Sequence, residues 1–197
     1  MKTLFLTLML FATAVASASV NPIDLIIQAD PTSHTLVLRT TTSVDAETKV
    51  QLVDRNGLTL HTTKLDSGEY LNSRFKLAAL PAGTYDLVVT DRQGQTRQPL
   101  TVGTQGISAD PALASRSFFP HVRLEERLLT VNYLNAGGKQ VRIRLTDAEG
   151  HDLISDRLPG EPSLHRAYSL EELPAGEYYV TVSGASLPSH TTSVRLR

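Results

Sequence analysis

The chain has 197 residues, with 19 Lys and Arg against 20 Asp and Glu and a net charge near −1. A balance this even, with no basic block or basic face, argues against nucleic acid or an anionic lipid surface as the partner. Cysteine is absent, which excludes disulfides, a thiol nucleophile and a lipid-bearing cysteine, so the fold rests on its apolar core.

Lys2 precedes an apolar run from Leu4 to Ala16. Ala16-Ser17-Ala18 then fits cleavage before Ser19, and Ala14-Val15-Ala16 fits cleavage before Ser17. This is the pattern of a secretory signal peptide over residues 1–18. The run is too short for a membrane anchor, and no later stretch reaches the roughly 18 consecutive apolar residues of a membrane helix. The expectation is an exported protein with no transmembrane segment in its mature chain, at the cell surface, outside the cell or in the periplasm.

From there the chain reads as short strands and turns. Ile23 to Ala29 is a first strand, and Thr35 to Thr41 a second with Leu36 and Leu38 inward. Val50 and Leu52 alternate with Lys49 and Gln51, giving a third strand with one wet face. Asp54-Arg55-Asn56-Gly57 favours a type I turn with the glycine at positive φ. Leu58 to Lys64 returns as the hairpin partner, with Leu58, Leu60 and Thr62 on one face. Arg74 to Ala78 carries Phe75 and Leu77 inward. Leu80 to Gly83 forms a corner, and Tyr85, Leu87 and Val89 line the most apolar strand. Asp91 to Gly94 is a second Asp-x-x-Gly turn, and Thr96 to Val102 closes the unit. Seven strands at this spacing, without an amphipathic helix, are the pattern of an antiparallel immunoglobulin-like β-sandwich.

The unit is then repeated. His34 to Asp91 set against Arg127 to Gly184, 93 positions on, gives 14 identities in 58 pairs, seven of them leucines. Gly103 to Ser117 lacks periodicity and reads as a linker. Phe118 to Leu124 stands for the first strand. Leu129, Val131 and Tyr133 replace Leu36, Leu38 and Thr40; Val141, Ile143 and Leu145 precede the turn Asp147-Ala148-Glu149-Gly150. Tyr168 and Leu170 mark the next strand and Tyr178, Val180 and Val182 the penultimate one. Val194 and Leu196, in the last strand, are shifted by one residue, a shift assigned to the hairpin Ser183 to His190. The expected organisation is all-β: a signal peptide at 1–18, sandwiches at 19–102 and 118–197, and a linker at 103–117.

The longest repeated stretch is a corner: Leu80, Pro81, Ala82, Gly83 and Tyr85 against Leu173, Pro174, Ala175, Gly176 and Tyr178. Proline ends a strand ladder and glycine accommodates a tight bend. A tyrosine two residues on, opening an apolar strand, follows the logic of the tyrosine corner, whose ring is core and whose hydroxyl bonds an upstream backbone group. These residues are read as structural. The turn, this corner and the final hairpin, over the last 70 to 80 residues, resemble the C-terminal sorting domain of type IX secretion substrates of Bacteroidetes. That resemblance implies a seven-stranded sandwich that engages the secretion machinery and is removed at the surface. The corner also resembles those of other bacterial immunoglobulin-like and prealbumin-like adhesin modules.

No residue set nominates a catalytic, cofactor or metal site. The histidines His34, His61, His121, His151, His165 and His190 show no paired spacing and do not coincide between repeats. Asp147, Glu149 and Asp152 suggest a calcium loop, but the full loop pattern is missing and a turn stabilised by its Asp is the simpler reading. Glu125-Glu126 and Glu171-Glu172 are adjacent pairs, which a strand points to opposite faces. G-x-S-x-G and G-x-x-x-x-G-K-[ST] are absent. The expectation is a non-catalytic exported protein, structural or binding, whose partners are surface proteins, glycans or secretion machinery. A cleavable sorting repeat, or an accessory subunit or small hydrolase with a site between the repeats, stands as the alternative.

Overall fold

The computed structural model describes residues 25–30, 33–185 and 187–197; the signal peptide and the expected start of the first strand at Ile23 lie outside the described residues. In the first unit β1 (Leu25–Asp30), β2 (Thr35–Thr40) and β5 (Asn72–Lys76) form one sheet in the order β1-β2-β5. β3 (Thr48–Asp54), β4 (Thr59–Leu65), β6 (Gly83–Thr90) and β7 (Gly94–Val102) form the other in the order β4-β3-β6-β7. The edge of β7 is extended by β8 (Ile107–Ser108) at one end and β9 (Ser115–Phe118) at the other. The second unit repeats the plan. β10 (His121–Glu125), β11 (Leu128–Leu134) and β14 (Ser163–Ser169) make the three-stranded sheet. β12 (Val141–Thr146), β13 (Asp152–Leu158), β15 (Gly176–Gly184) and β16 (Leu187–Leu196) make the four-stranded one, in the order β13-β12-β15-β16. Both are immunoglobulin-like β-sandwiches with antiparallel pairing.

Alternation explains the cores. Leu36 and Leu38 on β2 meet Val50 and Leu52 on β3 and Tyr85, Leu87 and Val89 on β6; their counterparts 93 residues on are Leu129, Val131, Ile143, Leu145, Tyr178, Val180 and Val182. All of these are buried. Among the described residues each core holds fourteen buried side chains and shares none with the other, so each unit buries its own apolar face.

Four expectations change. The segment 103–117 is more than a linker: Ile107 enters the first core and β9 pairs Ser115–Phe118 with Gly94–Arg97. Phe118 therefore belongs to the first sheet. The counterpart of β1 begins later, because Glu125 pairs with Leu128 whereas Asp30 pairs with Thr35. The β10–β11 turn is two residues shorter, so the offset here is 95. The fifth strand runs Asn72–Lys76, with Leu77 buried just beyond its end. Finally, the Leu58, Leu60 and Thr62 face of β4 points to solvent; His61 and Thr63 lie on the side of the buried Leu52 and Val50 that they pair with, and Leu58 is 63% exposed. The one-residue shift of β16 stands in the pairing: Tyr85 opposes Leu100, Tyr178 opposes Val194, and the register slips between Val182 and Gly184.

The two units meet at Phe119. Its N–H donates to the Gln93 carbonyl at 2.7 Å, and its ring stacks on His190 of β16 with centroids 4.5 Å apart. Burial lowers the His190 pKa below its ordinary value. Arg116 ties β9 down: Nη2 reaches both carboxylate oxygens of Asp91 (3.1 and 2.8 Å), Nη1 reaches Thr96 Oγ1, and the guanidinium lies over the Phe118 ring.

Candidate functional site: the acidic turn and the corner groove

The structure brings two features of the second repeat together. The β12–β13 turn and the corner before β15 line one surface groove of about 310 Å³, with Asp147 and Glu149 on one wall and Leu173, Pro174, Gly176 and Tyr178 on the other.

The corner is built from the bottom up by the Pro-Ala-Gly bend. β6 and β15 each begin at the glycine, so the tyrosine two residues on points inward. Tyr85 Oη donates to the Pro81 carbonyl at 2.8 Å and Tyr178 Oη to the Pro174 carbonyl at 2.8 Å. Both rings are at least nine-tenths buried, and each hydroxyl has the partner a buried donor requires. Leu80 and Leu173 pack against their respective cores. Leu80, Pro81, Gly83 and Tyr85, like Leu173, Pro174, Gly176 and Tyr178, thus sit where a bend enters the core.

Arg127 was not visible as part of this corner. Its Nη1 donates to the carbonyls of Leu170, Glu171 and Leu173 at 3.3, 3.2 and 2.8 Å, clamping the loop that leads into the bend. At the matching place, His34 Nε2 contacts the Gly103 carbonyl at 2.9 Å. The usable signal is the shared position: both residues immediately precede the second strand of their unit, and their carbonyls accept from Leu77 and Leu170 N–H.

The acidic turn differs from the calcium-loop pattern. Asp152 points away and lies 3.8 Å from Arg144, while His151 takes its place beside Asp147 and Glu149, with one ligand atom of each within 4.8 Å of the others. Such a set could hold a cation through two carboxylates and an imidazole. Asp147 is already engaged, however. Its Oδ1 accepts from His151 N–H at 2.8 Å and its Oδ2 meets His151 Nδ1 at 2.9 Å. Partial burial of the Asp147 carboxyl raises its pKa, but the two bonds from His151 outweigh this and leave it below its ordinary value. In turn, the hydrogen bond and charge of Asp147 raise the pKa of His151. The first unit makes the same turn without the imidazole: Asp54 accepts from Leu58 N–H and Asn56 N–H, and these bonds hold its pKa down. Gly57 and Gly150 take φ of +85° and +88°, the conformation both turns need.

The remaining singled-out groups scatter. Glu125, Glu126 and Glu171 do share a groove of about 650 Å³, against the expectation from strand alternation, because Glu126 is a turn residue at φ +53°. Arg127, Arg195 and Arg197 line the same groove, so its charge is mixed. His165 Nδ1 lies 2.6 Å from Asn132 Oδ1, and His61 packs edge-on against Phe75. Tyr168, the counterpart of Phe75, donates to Asp156 at 3.0 Å; burial, then Asp156, pushes its pKa up to about 12.

The sequence matches no family model and no curated protein. Among solved structures it is similar to a DUF3244 family protein with an immunoglobulin-like β-sandwich fold from Bacteroides vulgatus, at 24% identity over 40% of this chain and 83% of that one, TM-score 0.36. It is also similar to a segment of two fibronectin type III domains from chicken tenascin, at 15% identity over 89% of this chain and 99% of that one, TM-score 0.32. A third similarity is to the BSP domain of a biofilm associated protein, at 13% identity over 86% of this chain and 29% of that one, TM-score 0.30. The strand order itself defines the class: an all-β chain of two immunoglobulin-like sandwiches.

Proposed function

We propose that this chain is a non-catalytic exported protein whose two immunoglobulin-like units have a structural or binding role at the cell surface or outside the cell. Contact with protein or glycan partners would use loops and strand edges. The observation that supports this most is that the prominent polar groups hold the scaffold together. Both corner hydroxyls, Arg127, Asp54, Asp91 and Asp147 are bonded into turns and strand junctions. The leader pattern at residues 1–18 supports export.

A second reading draws on the separate cores. Since the two clusters share no residue, the second unit could be removed without opening the first, as a cleavable sorting domain requires. Intact mass and localisation in the native host test both. A form outside the cell starting at Ser17 or Ser19 and ending at Arg197 supports the tandem as the working protein. An external form that has lost the second unit supports the sorting reading, and retention inside the cell overturns both.

A further inference from the structure

The free edge of the first unit's four-stranded sheet differs from its counterpart in a way that points to a partner. β4 and β13 are both terminal strands, and among the described residues each pairs with one neighbour only, β3 or β12. Sheet edges that stay unpaired usually carry charges, which oppose the docking of another strand. β13 does so with Asp152, Asp156 and Arg157 in seven residues. β4 reads Thr-Leu-His-Thr-Thr-Lys-Leu, and its only charge is Lys64. Just before it Leu58 stands 63% exposed where the second unit has His151, while Leu60 and its counterpart Leu153 are both 40% exposed. The other apolar edge, β1, lies against β8.

Self-pairing separates the two strands further. A two-fold antiparallel register centred on His61 sets Thr59 against Thr63 of a second copy, Leu60 against Thr62, and Leu58 against Lys64. Threonine pairs favour a sheet, and with His61 neutral at pH 7, where it meets His61 of the second copy, no like charges oppose each other. The same register on β13, centred on Ile154, sets Asp152 against Asp156 of a second copy twice over, which is directly repulsive. One repeat thus carries an edge compatible with itself, and the other repeat carries the same edge blocked.

We propose that β4 is a homodimerisation edge, joining the larger sheets of two copies of this chain through antiparallel pairing about His61, over residues 58–64. The inference goes beyond the proposed function and does not depend on export. Sedimentation equilibrium of the purified chain tests it, with an expected species of twice the 21.5 kDa chain mass. The double variant Thr59→Asp/Thr63→Asp copies the β13 pattern onto β4 and should weaken association about tenfold or more, with its fold checked by circular dichroism. Because the chain has no cysteine, His61→Cys places a single thiol opposite itself. It should give a disulfide-linked dimer on oxidation, whereas Ile154→Cys, at the equivalent position of β13, should not. A chain that stays monomeric at every concentration overturns the proposal. So does a dimer that a folded Thr59→Asp/Thr63→Asp variant retains in full, or one that His61→Cys fails to trap.

Discussion

The two units share a strand plan and a core but close their ends differently, and the contrast separates what this fold demands from what it leaves open. At the loop joining the second and third strands, the first unit uses an apolar plug. Val44 is 2% exposed, and its backbone bridges the loop: Val44 N–H donates to the Glu69 carbonyl, and Gly68 N–H donates to the Val44 carbonyl. The second unit has Gly137 at that place and a buried amide instead. Asn135 is 1% exposed; its Nδ2 donates to the carbonyls of Lys139 and Glu161 at 2.7 and 2.9 Å, and its N–H to the Pro162 carbonyl at 2.8 Å. Tyr133 supplies bulk where the first unit has Thr40, whose hydroxyl accepts from Leu71 N–H. Both solutions satisfy the loop backbone and fill the same end of a sandwich, so the fold requires closure there and not a particular residue.

Asn135→Ala should break this contrast most sharply. It removes the buried amide that donates to the Lys139 and Glu161 carbonyls and should cost the second unit about 2–3 kcal/mol. Its positional twin, Thr42→Ala, alters an exposed side chain and should stay within about 0.5 kcal/mol. Hydrogen exchange resolved by residue reads the two units separately. Protection should fall around Leu164 and Leu170 in Asn135→Ala while that of Leu71 and Leu77 is unchanged. Equal losses in both units would mean that the units unfold together.

A smaller effect should be shared instead of divided. Tyr85→Phe and Tyr178→Phe each delete one hydroxyl that donates at 2.8 Å to a proline carbonyl, and each should cost about 1 kcal/mol. Matching losses in urea unfolding would sharpen the view that the corner is the common element. A loss confined to Tyr178→Phe would show that the groove beside the acidic turn makes the second corner special.

The parts of the molecule that repeat were also the parts legible from the chain. Leucines at a fixed offset mark residues that must face inward in both copies, and Asp-x-x-Gly turns carry their own local chemistry. What could not be read depends on contacts made at a distance. Nothing local marks Asn135 as buried, since Asn in a turn is ordinarily solvated. Ile107 and β9 lie in a stretch without strand periodicity and gain their partner only from the finished edge of β7. Gly94 looked like a turn glycine, yet its φ is not positive; a Cβ there would run into the Ser117 carbonyl of β9. Leu58 and Leu60 followed the strand period but on the outer face, because register with β3 sets His61 against the buried Leu52. In the acidic turn the carboxylates were singled out but the imidazole was not. A four-residue Asp-x-x-Gly turn brings the fifth residue back to the first, shown by Asp147 N–H donating to the His151 carbonyl.

That turn supports the finest test of the comparison, in which pH distinguishes the repeats. The His151 pKa is raised from 6.5 by Asp147, so its contribution is full below 6.5 and is lost as pH rises through the folded value. The Asp147 pKa is lowered from 3.8, so its contribution is present above 3.8 and is lost as pH falls through the folded value. The second turn is therefore held best between these limits. The first turn has Asp54 but Leu58 in place of the imidazole, and shares only the acidic limit. Both turns are solvent-exposed, so the effect is local and belongs to the hairpin tip, not to global stability. Titration by NMR should place the His151 midpoint above 6.5, and Asp147→Asn should bring it back toward 6.5. A midpoint at or below 6.5 in the unaltered chain would mean that the Asp147–His151 contact does not persist in solution. The two turns would then be held alike, by backbone N–H bonds to Asp54 and Asp147.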